Sequence, residues 1–443
     1  MRTIHTALFC AITLTAAALV GPASAAGSPL GAALPVHIDA AGAYQSVQPT
    51  RILDTRSGLG APDAPIGPAG TLQLQVLGQG GVPASGVSTV VLNVTVTAPS
   101  VSGYLTVYPS GTTRPNSSSV NFAAGWTGAN SVTVTVGTDG HVVIFNAAGT
   151  VEVIADVVGY YLSATGTPSY SASSFVPLTA PIRLLDSRTG SKLAAGRAVV
   201  LGVEFGANNF NITSYAVTVT AVSPEKNGYL ATGAWDDNGV GTPTTSTLNF
   251  KPGAVVPNFA IVPTGFCNGI GCPEHPLFYV YNGSSGATHV IVDVVGVYTR
   301  LTGSLQGSRF VPREPARVVD TRTGLGGWPT FTPKDAYYFS FWADETTAAI
   351  AVNVTAVAPT RSTYLKVWQG GDTSIASNLN PAAGQTVANA AVTPLGTYGG
   401  TVGRYWIYND AGETDVLVDV IGVFVGAAAV TGLVAEQPFA RFN

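Results

Sequence analysis

Apolar and polar residues alternate strictly in Leu72-Gln73-Leu74-Gln75-Val76 and in Val132-Thr133-Val134-Thr135-Val136. A period of two sends every second side chain to one face, so each segment reads as a strand with one side buried. Val90 to Thr97, Gly103 to Tyr108, Ser118 to Phe122, His141 to Asn146 and Val151 to Val158 read as further strands. Gly137-Thr138-Asp139-Gly140 and Ala147-Ala148-Gly149 supply the turns between the last three. No window carries a helical stripe. Roughly seven or eight short strands in ~130 residues is the count of a β-sandwich or jelly roll.

The same pattern returns twice. Arg51-Ile52-Leu53-Asp54-Thr55-Arg56 opens one unit, Arg183-Leu184-Leu185-Asp186-Ser187-Arg188 a second and Arg317-Val318-Val319-Asp320-Thr321-Arg322 a third. Each unit closes on an apolar run holding one carboxylate: Val153 to Gly159 around Asp156, Val290 to Gly296 around Asp293, and Val416 to Gly422 around Asp419. The expected architecture is therefore all-β, three tandem β-sandwich (jelly-roll-like) domains at 44–162, 175–299 and 309–425. Residues 26–43 read as a flexible lead-in. The tail 426–443 carries Glu436-Gln437-Pro438-Phe439-Ala440-Arg441, which resembles the opening of another unit and is expected to dock on the last domain.

Residues 1–25 have the form of a secretory signal peptide: Arg2, an apolar core from Ala7 to Val20, and Ala23-Ser24-Ala25 before the cleavage point. The protein is expected to be secreted or held at the cell surface. No later run of ~20 apolar residues exists to span a membrane. Export to an oxidising compartment makes Cys267 and Cys272 a disulfide pair, a staple for one turn rather than for a domain. With a formal charge of -4 and no basic run, the chain lacks the footprint of a nucleic-acid binder.

Two Arg and two Asp recur in each unit of a chain in which only 10% of residues are charged. Asp156, Asp293 and Asp419 are flanked by aliphatic residues, and a carboxylate there is costly to bury unless a cation meets it. The arginines of the opening phrase can do so with bidentate geometry. Arg51, Asp54, Arg56 and Asp156 are thus expected to form one structural ion-pair network that sets strand register, as are Arg183, Asp186, Arg188 and Asp293, and Arg317, Asp320, Arg322 and Asp419. A sugar-gripping site is the rival reading of the same residue types.

Other positions recur. Asn146, Asn282 and Asn409 precede small or Gly-containing turns and read as their caps. Tyr104, Tyr229 and Tyr364 read as core residues with a hydroxyl at the rim. Asn93 and Asn353 coincide, but the second unit has Thr218 there; Asn121, Asn249 and Asn380 also coincide. Asn130, Asn258 and Asn389 have no turn to cap and are candidate ligand-binding residues. The tryptophans do not repeat, and four of six, Trp328, Trp342, Trp368 and Trp406, fall in the third unit. If one domain has specialised in a ligand it is the third, with Trp368 and Trp406 as candidates.

Catalytic signatures are missing: no Gly-x-Ser-x-Gly elbow, His-Glu-x-x-His, phosphate loop or dinucleotide fingerprint. No cofactor is expected. Asp236-Asp237-Asn238-Gly239 has oxygen-rich turn chemistry but lacks the distal carboxylate of a calcium loop, so no metal is expected either.

Pro-x-Arg-x-Leu-Asp-Thr-Arg, Leu92-Asn93-Val94-Thr95-Val96, Gly103-Tyr104-Leu105-Thr106-Val107, Asn121-Phe122, Ala129-Asn130 and Asp156-Val157-Val158-Gly159-Tyr160 together resemble the repeated Asp-Thr-Arg-motif β-domains of secreted actinobacterial proteins, found alone or appended to hydrolases. Ser187, Thr218 and Thr363 depart from that pattern. The resemblance implies an exported, non-catalytic accessory or surface module. The expected function is a secreted multi-domain binding protein attaching to an extracellular surface or glycan, repeated domains raising weak affinities through effective concentration. The alternative is a structural subunit of an extracellular or cell-envelope assembly.

Overall fold

A computed structural model of the chain describes residues 40–236, 239–267, 275–302, 305–341, 346–371, 375–426 and 438–442. In the first repeat the strands are β1 (Tyr44–Asp54), β2 (Thr71–Gln75), β3 (Val87–Thr97), β4 (Gly103–Pro109), β5 (Val120–Phe122), β6 (Gly128–Thr135), β7 (His141–Asn146) and β8 (Glu152–Leu162). They pair antiparallel as β1-β8-β3-β6 in an inner sheet and β2-β7-β4-β5 in an outer one. Two four-stranded sheets wound in this order make an eight-stranded jelly roll.

The second repeat repeats the winding. Its strands are β9 (Ser173–Asp186), β10 (Ala198–Val203), β11 (Ile212–Val222), β12 (Gly228–Ala234), β13 (Leu248–Phe250), β14 (Val255–Pro263), β15 (Leu277–Asn282) and β16 (His289–Arg300). The inner sheet is β9-β16-β11-β14 and the outer β10-β15-β12-β13. The third has β17 (Ser308–Asp320), β18 (Ala336–Ser340), β19 (Thr347–Val357), β20 (Leu365–Trp368), β21 (Val387–Pro394), β22 (Gly396–Tyr398), β23 (Thr401–Asn409) and β24 (Asp415–Gly426). There the inner order is β17-β24-β19-β21 and the outer β18-β23-β20, with β22 beside β23. The strand matching β5 shrinks to a single bridge, Leu365 to Leu379.

Each jelly roll has its own apolar core between its two sheets. On β3, Val90, Leu92, Val94 and Val96 enter that core, while Val91 points the opposite way. That second face is buried too, because the three inner sheets turn their backs to one another. The chain from Asp39 onward therefore packs as one unit, and not as three domains on a string.

The junction is cyclic. Tyr44 pairs with Ser173, Phe175 pairs with Ser308, and the Phe310 amide donates to the Gly42 carbonyl at 3.0 Å. Tyr44, Phe175 and Phe310 at the strand starts, with Tyr161, Tyr298 and Phe424 at the strand ends, fill a central aromatic core. Inside it the Tyr161 and Tyr298 hydroxyls share a hydrogen bond of 2.7 Å. This arrangement explains the glycine that ends each closing phrase. A Cβ on Gly159 would stand 2.1 Å from the Tyr44 hydroxyl, and one on Gly296 or Gly422 would stand 2.4 Å from the Phe175 or Phe310 ring.

The tail departs from its expected place. β25 (Pro438–Phe442) pairs with β10 of the second repeat, Arg441 opposite Val200, and so extends that outer sheet instead of docking on the last domain. β10 reads Ala-Val-Val-Leu-Gly-Val, an apolar edge whose backbone groups need a partner. The corresponding edges β2 and β18 carry more polar, more exposed residues.

Candidate functional site

The opening phrase runs antiparallel to the closing strand, with Arg51 opposite Asp156, Arg183 opposite Asp293 and Arg317 opposite Asp419. Arg51 Nε donates to Asp156 Oδ1 at 2.9 Å. Arg183 and Arg317 grip their partners with two bonds each, at 2.8 and 3.1 Å and at 2.9 and 3.0 Å. The three inner carboxylates are buried, and burial pushes their pKa up against the pull of the arginines. Asp54, Asp186 and Asp320 sit further out, each held bidentately by the arginine two residues on. Those side-chain bonds keep their pKa below the ordinary carboxylate value. The guanidinium fork matches the carboxylate's two oxygens, so both bonds form at once.

These clusters lie at the seams between repeats. Arg183 Nη2 also donates to the Ile375 carbonyl of the third repeat at 2.7 Å. Asn130, Asn258 and Asn389, expected as ligand residues, lie there as well, at 1%, 0% and 3% exposure. Asn130 donates to Ser119 O and Asn353 Oδ1 and accepts from the Ala390 amide. Asn258 donates to Thr247 O and Asn93 Oδ1 and accepts from the Ser131 amide. Asn389 donates to Asn378 O and accepts from the Phe259 amide. Asn130 and Asn258 use both ends of the amide to join one repeat to the next, whereas Asn389 crosses its seam only as an acceptor and donates within its own repeat. Asn93 and Asn353 reach on to Ser246 O and Ser118 O of the neighbouring repeat. Thr218 breaks the cycle at the third seam.

Asn146, Asn282 and Asn409 are buried, and each donates to a carbonyl of its own turn, Gly149, Gly286 or Gly412, and to one on the segment ahead of the first outer strand, Ile66, Leu193 or Thr332. Tyr104 differs from expectation: it is exposed, on the outward side of β4, where the period of two sends it away from Leu105 and the core. Cys272, Asp237, Asn238 and Trp342 lie outside the described residues, so the Cys267–Cys272 pairing and the Asp236 turn fall partly outside them too. No cluster of metal-ligating side chains occurs among the described residues, and no helix there is long and apolar enough to cross a membrane.

Trp368 and Trp406 do come together. They are cross-strand partners on β20 and β23, their ring centroids 6.2 Å apart. Tyr338 on β18 completes the row on the other side of Trp406 at 5.3 Å, and Tyr398 on β22 stands over it at 5.3 Å, nearly perpendicular. Arg404 lies 4.4 Å from the Tyr338 ring centroid, a cation held on an aromatic face. Tyr398 on β22 and Val402 on β23 are exposed. Trp368 Nε1 is closed to solvent and has no acceptor among the described residues. The equivalent rows are Gln73, Val143 and Tyr108 in the first repeat and Val200, Tyr279 and Gly233 in the second. At this row only the third repeat carries two tryptophans; the outer sheets of the first and second repeats carry smaller aromatic groups, Tyr104 with Phe145 and Tyr229 with Tyr279 and Tyr281. Tyr338, Tyr398 and Arg404 carry no signal of this role in the sequence, because only strand register brings them beside the tryptophans.

The fold and site thus define an all-β protein of three fused jelly rolls with a tryptophan-bearing aromatic cluster on the outer sheet of the third. No family model matches the sequence, and no curated protein is similar to it. Among solved structures, the chain is similar to one described as the atomic structure of Sulfolobus Turreted Icosahedral Virus, at 11% identity over 87% of this chain and 91% of that chain, with a TM-score of 0.18. It is similar also to one described as the triple jelly roll fold and turret assembly in an archaeal virus, at 10% identity over 88% and 91%, with a TM-score of 0.18.

Proposed function

We propose that this is a secreted, non-catalytic protein that attaches to an extracellular surface or glycan through the outer sheet of its third repeat. The row Tyr338, Trp406 and Trp368 carries the reading. Aromatic side chains offer apolar faces to the C–H faces of sugar rings. Arg404 adds donors beside them. The three fused jelly rolls hold this face rigid, which lowers the ordering cost of binding. Binding of the full chain to insoluble polysaccharides and to a glycan array tests it. Trp406→Ala should weaken binding at least about fivefold, the loss of one aromatic contact worth about 1 kcal/mol. Retention of full binding by a Trp368→Ala, Trp406→Ala double variant would overturn the assignment.

A second reading, a structural subunit of an extracellular or cell-envelope assembly, is favoured by β25. A terminal strand laid along a sheet edge is the contact by which one chain adds a strand to another. Concentration-dependent association in sedimentation, without glycan binding, would favour it over the first.

A further inference from the structure

At the seam where the three repeats meet, a cup of about 650 Å3 opens between the starts of β6, β14 and β21. This volume suits a small molecule of one or two rings. All three repeats contribute to its wall: Trp126 from the first, Asn249 and Lys251 from the second, Asn380 and Gln385 from the third. The hydrogen-bonding sense of these groups is one-sided. Asn249 Oδ1 accepts from Ser246, Asn380 Oδ1 from Ser377, and Gln385 Oε1 from the Ala382 amide. Their amide NH2 groups have no acceptor among the described residues, and neither does the Trp126 indole N–H. Lys251 Nζ meets only the Gly125 carbonyl, at 3.1 Å, with no carboxylate in reach among the described residues. The one acid on the wall, Asp410, already accepts from Lys334 at 2.6 Å and Tyr408 at 3.0 Å. A wall of spare donors selects a ligand rich in acceptors, and a spare ammonium selects one with negative charge.

The repeats show that this chemistry is not imposed by the fold. Two residues after Asn121, Asn249 and Asn380 stand Ala123, Lys251 and Ala382; five residues after them stand Trp126, Ala254 and Gln385. One backbone position thus carries an indole in one repeat, a methyl in the next and an amide in the third.

We propose that this cup binds an acidic sugar, a uronic acid unit whose ring lies against Trp126 and whose carboxylate meets Lys251. The site is distinct from the outer face of the third repeat. Calorimetric titration of the full chain with glucuronic and galacturonic acid, against glucose as the neutral isostere, tests it. The uronic acids should bind at least about tenfold more tightly than glucose, as a charge-assisted hydrogen bond requires. Lys251→Met, an exposed position whose loss leaves the fold intact, should abolish that preference, while Trp406→Ala should leave uronate binding unchanged. Equal binding of glucose and uronic acids, no binding of either, a Lys251→Met variant with wild-type preference, or loss of uronate binding in Trp406→Ala would each overturn the proposal. The last result would move the binding to the aromatic face and leave the proposed attachment function standing.

Discussion

Arg183→Ala is the sharpest test of how the repeats are held together. Arg183 makes two bonds to Asp293 at 2.8 and 3.1 Å, one to Asp186 at 3.3 Å and one to the Ile375 carbonyl across the seam at 2.7 Å. Asp293 is 1% exposed, so truncating the arginine strands a carboxylate where water cannot replace the guanidinium. Breaking a buried ion pair on one side costs about 3–5 kcal/mol. The Arg183 side chain keeps 24% of its exposure, and solvent screening reduces the expected loss to about 2–4 kcal/mol. Urea unfolding followed by fluorescence measures it from the shift in midpoint at constant slope. Arg188→Ala, whose side chain is 49% exposed, should cost no more than about 1 kcal/mol. The pH dependence supplies a second signature. Burial already raises the folded-state pKa of Asp293, and removing the arginine takes away the largest opposing influence. A raised carboxylate loses stability as pH rises from its unfolded to its folded pKa, so the deficit of Arg183→Ala should grow from acid pH toward neutrality. A loss below about 1 kcal/mol at neutral pH, or one that shrinks as pH rises from acid to neutral, would refute the buried-pair account.

Two further outcomes follow from the same geometry. Thr218→Asn should place at the third seam the side chain that Asn93 and Asn353 supply at the other two, and raise the thermal midpoint through about one net hydrogen bond, about 1 kcal/mol; a lowered midpoint would show that this seam packs differently. The outer aspartates, Asp54, Asp186 and Asp320, have folded pKa values held below the ordinary 3.8, so the stability they contribute is present above that value and is lost as pH falls through the depressed range. The triple Asp→Asn variant at these positions should therefore show a flatter acid limb than the wild type in calorimetric scans below pH 4.

The sequence alone determined the strands, their repetition and the pairing of opening and closing phrases. These are local matters: alternation reports a half-buried strand, and an aspartate among valines demands a cation whatever the global shape. The ring of three jelly rolls was a different matter. Whether Val91, Asn93 and Thr95 face solvent or another repeat depends on how whole sheets dock, and no pattern within one strand encodes it. Asn130, Asn258 and Asn389 looked free because their partners belong to other repeats, more than a hundred residues away. Trp368 and Trp406 were legible as residues but not as a site, since the register of β20 on β23 and of β23 on β18 makes them neighbours of each other and of Tyr338. The tail's place on β10 was likewise settled by an unpaired apolar edge, a property of the folded sheet that exists only once its other strands are in place.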